Sequence, residues 1–219
     1  MISVITATHQ GWPDLQRAIA SLDAQSRDDW QHVVVADGPD PGLRERMRER
    51  GYAGTGKRVF AELGRNWHGF LGGDAAGQPP GSPGTRGARG SRGVSAYLTA
   101  TYLAAGEHIA YLDQDCEYEP QHLELHARAL DASGADFTFT QMRRYLDGQA
   151  WDVVGDGTCA YGRIDGNMVV HKADLLIAAN WRWGGDADWD LIGRWAQAGA
   201  RAQYVPQITV RWHHAMADL

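Results

Sequence analysis

Two cysteines, Cys116 and Cys159, are all that the 219 residues contain. That is too few for a disulfide framework and in keeping with a reducing compartment, so both are expected as free thiols. No hydrophobic run approaches membrane-spanning length, and Met1 is followed at once by Ile2-Ser3-Val4-Ile5 without a basic leader. A transmembrane segment and a secretory signal are therefore not expected, and the reading is cytoplasmic. Positive charge is scarce as well: 21 Lys and Arg against 27 Asp and Glu give a formal net charge of −6. That balance excludes a dedicated nucleic-acid binder, whose affinity rests on neutralising phosphates, and leaves a compact anionic ligand held by a few local cations. What remains, 43% hydrophobic and 22% charged residues, is the composition of an ordinary globular protein with length for one domain over residues 1–219.

The apolar pattern predicts an α/β fold. Residues 2–7 and 32–36 are short β-branched runs, continuous rather than alternating, as strands covered on both faces are. Residues 13–25 carry Leu15, Ile19 and Leu22 at helical spacing with Pro13 in the first turn, residues 41–50 read as a charged helix, and residues 59–61 as a third strand. Strand-to-helix units of this length imply a parallel sheet with right-handed crossovers. Further on, residues 94–105 read as a helix stopped by Gly106, 108–112 as a buried strand and 120–133 as a helix ended by Gly134. Residues 136–140 alternate like a half-buried strand, 151–154 read as another, and a mixed region follows. Residues 204–206 and 208–210 are strand-like pieces near the end of the sequence.

Residues 71–93 break this rhythm with Gly, Pro, Ser and Arg. Glycine recurs every third position from Gly81 to Gly93, a run too short for a collagen-like trimer. It reads as a long loop whose Arg86, Arg89 and Arg92 either approach a diphosphate or stay solvated.

Two polar clusters are candidates for chemistry. Tyr111-Leu112-Asp113-Gln114-Asp115 puts two carboxylates where a buried strand runs out, the end at which ligands bind in open α/β sheets. Spaced two apart, Asp113 and Asp115 share a face in extended backbone and can converge on one hard cation, although a polar turn explains them too. Asp186, Asp188 and Asp190 open a helix that continues to Gly199. Helix capping accounts for part of that acidity, and a carboxylate at such a place also suits a general base. Trp181, Trp183, Trp189 and Trp212 lie around these segments and suggest either core packing or an apolar platform for a sugar ring. Arg211-Trp212-His213-His214 closes a strand and can lend an imidazole to a metal.

Taken in order, these segments resemble the family 2 glycosyltransferases of the GT-A fold over nearly the whole chain. Ile2-Ser3-Val4-Ile5-Thr6-Ala7-Thr8 is similar to the family's first strand, Val33-Val34-Val35-Ala36-Asp37-Gly38 to its second, Asp113-Gln114-Asp115 to its Asp-X-Asp motif, and Asp188-Trp189-Asp190-Leu191 to the helix bearing the catalytic base. The last strand through His213 resembles the terminal segment whose histidine binds the metal. Three departures stand out: Ala36 where a further Asp is common, Ala187 where Glu usually precedes the base, and the Gly/Arg loop in place of an Ala-Arg-Asn segment.

The resemblance implies a mostly parallel central sheet flanked by helices, with a donor part over residues 1–117 and a mixed acceptor part over 118–219. It implies inverting transfer of a sugar from a nucleotide-diphosphate sugar, UDP-sugar being typical, to an acceptor hydroxyl. Thr6, Thr8, Asp37, Asp113, Gln114 and the arginines 86, 89 and 92 would contact the donor, Asp37 through the base. Asp115 would ligate a divalent cation, with Asp113 alongside it or nearer the ribose and His213 completing the site. Manganese suits that set better than magnesium, for which imidazole is a poor partner. Asp188 would be the base with Asp186 in reserve, and Trp181, Trp183 and Trp189 would face the acceptor. A nucleotidyltransferase of similar fold and a non-catalytic nucleotide-sugar-binding protein are the alternatives.

Overall fold

Seven residues, Ile2–Thr8, form β1, the strand around which a nine-stranded sheet is laid out. The computed structural model describes residues 1–9, 11–65, 93–182 and 187–214. Strand β1 pairs in parallel with β2 (Trp30–Ala36) on one side and β4 (His108–Tyr111) on the other, and β2 pairs in parallel with β3 (Arg58–Glu62). Alternation sends Ile5, Val33 and Val35 against helix α3 (Val94–Leu103). Val4 and Val34 face the other way, onto α1 (Trp12–Asp23) and α2 (Pro41–Glu49). Cover on both faces is why these runs are apolar without interruption, and each such side chain contributes about 1.5–3 kcal/mol by leaving water.

The second half of the sheet is mixed. Strand β8 (Val169–Lys172) runs antiparallel to both β4 and β6 (Phe137–Leu146). Strand β9 (Ala202–His214) is parallel to β6 and antiparallel to β5 (Cys116–Tyr118), and β7 (Gln149–Val154) folds back on β6. The order is β3-β2-β1-β4-β8-β6-β9-β5. Helix α4 (His122–Ser133), ended as expected by Gly134 in the left-handed region, packs beneath β6 and β9. The short helix α5 (Leu175–Ala178) and α6 (Ala187–Gln197) follow β8. Among the described residues no helix is long and apolar enough to cross a membrane, and both cysteines are free thiols.

Three local expectations change. Helix α3 ends at Leu103, and Gly106 is not its left-handed stop. A methyl group there would lie 2.6 Å from Ser3 N and 2.9 Å from Met1 O, so glycine is needed for close passage beside the start of β1. The segment expected to be half-buried is covered on both faces: Phe137 to Thr140 are all buried, because β6 has neighbours on each side and α4 below. The two strand-like pieces near the end are one strand. Tyr204 stands opposite Phe139 and Ile208 opposite Gln141, so Pro206 sits in a bulge where its missing N–H breaks no ladder bond.

Candidate active site

The carboxyl ends of β1, β2 and β4 open into a cavity of about 680 Å³. Its floor is clasped by one amide: Gln114 Oε1 accepts from Thr8 Oγ1 at 2.6 Å and from the His9 N–H at 3.1 Å. The Gln114 side chain passes so close to Gly11 that a methyl there would meet Nε2 at 2.9 Å. Asp37 is buried at the end of β2, its N–H donating to Thr8 O, and lines the same cavity. Thr6 does not reach the cavity. It is fully buried, donates to Leu112 O at 2.6 Å and lies 3.0 Å from His32 Nε2, so it joins strands rather than contacting a ligand.

Asp113 and Asp115 both line the cavity, held by different partners. Tyr97 Oη of α3 donates to Asp113 Oδ1, and Asn167 Nδ2 donates to Oδ2 at 3.0 Å while its own Oδ1 accepts the Asp113 N–H at 2.6 Å. Asp115 Oδ2 accepts the Trp212 indole N–H at 2.8 Å. Burial, then the nearby charges of Asp115, Asp188 and Asp165, push the Asp113 carboxyl well above the ordinary carboxylate range, with the Asn167 bond opposing. Burial raises Asp115 too, and the Trp212 bond opposes it. Two buried carboxylates kept this close favour a shared proton or a cation between them.

The imidazole expected beside them is engaged elsewhere. The His213 N–H donates to Asp115 O at 3.0 Å, but its ring stacks on Tyr145 and its Nε2 lies 2.6 Å from Glu117 Oε1, without the alignment of a hydrogen bond. Among the described residues no three His, Cys, Asp or Glu side chains are placed to hold one ion, so the set Asp113, Asp115 and His213 is not assembled. The donor chemistry still fits a hard cation of the kind held by one or two carboxylates and completed by substrate phosphates and water. His213, His214 and Trp212 bring residues beyond 117 into the wall of the same cavity.

Asp188, in the first turn of α6, stands beside this cluster. Its Oδ2 accepts the Gly166 N–H at 3.1 Å, and it borders a crevice with Tyr111, Trp181 and Trp195 that has no room for water. Asp190 differs: Arg182 and Arg194 both pair with it, at 2.6 and 2.8 Å, which makes it an anchor for α6. Trp181 is core. Only 4% exposed, it stacks on Tyr97 at 4.4 Å and meets Tyr111 edge-on, so it offers no free face to a sugar. Trp189 is half-buried near Tyr161. Arg86, Arg89, Arg92, Trp183 and Asp186 lie outside the described residues.

Asp165, Gly166 and Asn167 were not anticipated. Asp165 caps the 3-10 turn Gly166–Met168 by accepting the Asn167 N–H, and accepts Asn167 Nδ2 at 2.8 Å as well. The only sequence signal is the turn-forming triplet Asp-Gly-Asn in an otherwise unpatterned stretch. Tyr97 lies within a helix whose hydrophobic face gave no hint of a polar task.

Residues 79–174 match the profile of glycosyl transferase family 2. Comparison with curated proteins finds no matching sequence. Among solved structures, residues 1–349 of S. aureus TarS superpose with TM-score 0.68 at 17% identity, covering 97% of this chain and 60% of that one. The same protein in complex with UDP gives 0.69 at 18% identity, with the same coverage. The mannosyltransferase PcManGT from Pyrobaculum calidifontis, in complex with GDP-Man and Mn2+, gives 0.62 at 14% identity over 97% of this chain and 56% of that one. The chain thus spans about three-fifths of the length of these structures.

Proposed function

We propose that this chain, whose residues 79–174 match glycosyl transferase family 2 and whose fold is that of the GT-A structures it resembles, transfers a sugar from a nucleotide-diphosphate sugar to an acceptor hydroxyl with inversion. The observation that carries the reading is the approach of three carboxylates: Asp113 and Asp115 at the cavity wall, and Asp188 linked to Asp113 through the adjacent residues Gly166 and Asn167, which donate to one and the other. Asp188 takes the proton from the acceptor hydroxyl as that oxygen attacks the anomeric carbon, a role that contributes roughly a hundred- to ten-thousandfold in rate. Asp37, buried at the end of β2, recognises the nucleotide base. Asp115 and Asp113 hold a divalent cation, manganese before magnesium, on a cavity wall that His213 and His214 also line. When bound, that ion supplies charge neutralisation for the departing diphosphate.

The described cavity wall carries Asp14, Asp37, Asp113 and Asp115 but no Lys or Arg. Positive charge for the donor therefore comes from the ion and from Arg86, Arg89 and Arg92, which precede Gly93 at the cavity edge in sequence. UDP is the nucleotide favoured here, since TarS is known in complex with UDP and UDP-GlcNAc. The GDP-Man complex of PcManGT makes GDP the competitor. Trp189, half-buried beside Tyr161, is the tryptophan assigned here to the acceptor. Calorimetric titration with UDP, GDP and dTDP, each with and without Mn2+, tests the reading, followed by hydrolysis assays of the matching nucleotide sugars. UDP binding that requires Mn2+ is the expected result; no binding of any nucleotide under either condition overturns it.

A further inference from the structure

Consecutive residues of one short turn touch both halves of this chemistry. Asn167 binds Asp113 twice, through its amide N–H to the carboxylate and through its carbonyl oxygen to the backbone N–H. Its neighbour Gly166 gives its own N–H to the Asp188 carboxylate. Asp165 fixes the turn from below, accepting both the backbone and side-chain N–H groups of Asn167. Gly166 and Asn167 are buried, at the head of β8, which runs between β4 and β6. The turn is therefore seated on the sheet.

Glycine at 166 is set by the contact itself. Its φ lies outside the left-handed range, so any residue suits the backbone, yet an added methyl would stand 3.3 Å from the Asp188 carboxyl carbon and from Oδ2. That is tight enough to move the carboxylate by a few tenths of an ångström. Asparagine at 167 is equally particular. Only a side chain with donor and acceptor at this length satisfies Asp113 N, Asp113 Oδ2 and Asp165 Oδ1 together; aspartate lacks the donor and glutamine is too long.

We infer that the turn Asp165-Gly166-Asn167 is a positioning element that yokes the cation-side carboxylate, Asp113, to the base, Asp188. The inference rests on the glycosyl-transfer reading for its purpose, and on the hydrogen bonds alone for its geometry. Neither Gly166 nor Asn167 lines the cavity; each acts through the aspartate it holds.

Two variants separate the arms of the yoke. Asn167→Ala is expected to weaken binding of UDP with Mn2+ by about 10- to 100-fold, the usual effect of removing a partner behind a ligand. Gly166→Ala is expected to lower kcat about tenfold while the affinity for UDP with Mn2+ stays within about twofold, since only the base moves. The decisive measurement is a cycle: in an Asp188→Asn background Gly166→Ala should have no further effect on kcat, because its target is gone. Equal losses from Gly166→Ala with and without Asp188 would make it a general packing defect and overturn the inference. Crystal structures of both variants give a readout independent of turnover. Displaced Asp113 and Asp188 carboxylates support the yoke and unmoved ones sink it, whether or not the wild-type protein binds UDP. Failure of wild-type nucleotide binding, by contrast, removes only the assigned reaction.

Discussion

Lowering the pH should unfold this protein well above the range where carboxylates protonate, because four histidines are buried in the neutral form. His32 and His126 are held down to about 3, His171 to about 4 and His122 well below its ordinary value, in every case first by burial. Each is tied to hydroxyl groups that suit the neutral ring: His32 to Thr6 and Tyr52, His122 to Thr209, His126 to Thr138 and His171 to Tyr111. In the unfolded chain all four titrate near 6.5. Below that value the unfolded state takes up protons that the folded state refuses. Stability is therefore complete above pH of about 6.5 and drains away as pH falls toward the folded values. At pH of about 5.5 the loss is roughly 1.4 kcal/mol for each histidine and between about 5 and 6 kcal/mol for the four, a large share of a typical domain's stability.

Asp113 and Asp115 act in the opposite sense. Their folded carboxyls hold protons more tightly than the unfolded ones, so their contribution is present at low pH and is lost as pH rises through the folded values. Unfolding at pH of about 5.5 should take up roughly 3.6 protons from the histidines, reduced by up to about two if both carboxyls are protonated. Urea melts followed by circular dichroism at about pH 7.5, 6.5 and 5.5 measure this slope directly. Replacing His126 by Gln should remove roughly 0.9 of a proton from it. A net uptake below about one proton, or stability flat across that range, would show that these rings are not held neutral by burial.

Other consequences can be checked by single changes. Asp188→Asn should leave UDP and Mn2+ binding intact and reduce transfer by roughly a hundredfold or more, and wild-type rates would remove Asp188 from the role. Gly106→Ala drives a methyl into the backbone of Ser3 and Met1 and should cost about 2–3 kcal/mol in a denaturant melt. Trp212→Phe withdraws the donor that holds Asp115, so it should lower stability by about 1–2 kcal/mol and weaken Mn2+-dependent UDP binding in the same titration.

The first half of the fold was legible because its information is local. The runs ending at Ala36 and Leu112, Pro13 in a first helical turn and Gly134 at a helix end each declare themselves within a few residues. What escaped was set by distant partners. Strand β8 is four residues long and becomes a strand only because β4 and β6 offer edges on both sides, and three-residue β5 exists through its pairing with β9. The Asp147-Gly148 turn, with both residues at positive φ, was a readable hairpin signal between β6 and β7. In the site, the placement of Asp113 and Asp115 at a strand end followed from pattern. That Thr6 turns inward, that His213 leans to Glu117 and that Asn167 grips Asp113 depend on contacts across 26 to 106 positions of sequence for Thr6 and 54 for Asn167. No window of periodicity contains them.

Strand β9 lies between β6 and β5, and its Trp212 meets Asp115 across 97 positions of sequence. During synthesis the acidic turn leaves the ribosome long before the strand that braces it, and in the interval both β5 and β6 present open edges that invite pairing with other chains. Closing so wide a loop is slow, so the cavity wall should be among the last parts of the molecule to mature. A chain clipped ahead of residue 202 would keep its parallel half and lose the brace, and aggregation rather than a weaker enzyme is its expected fate.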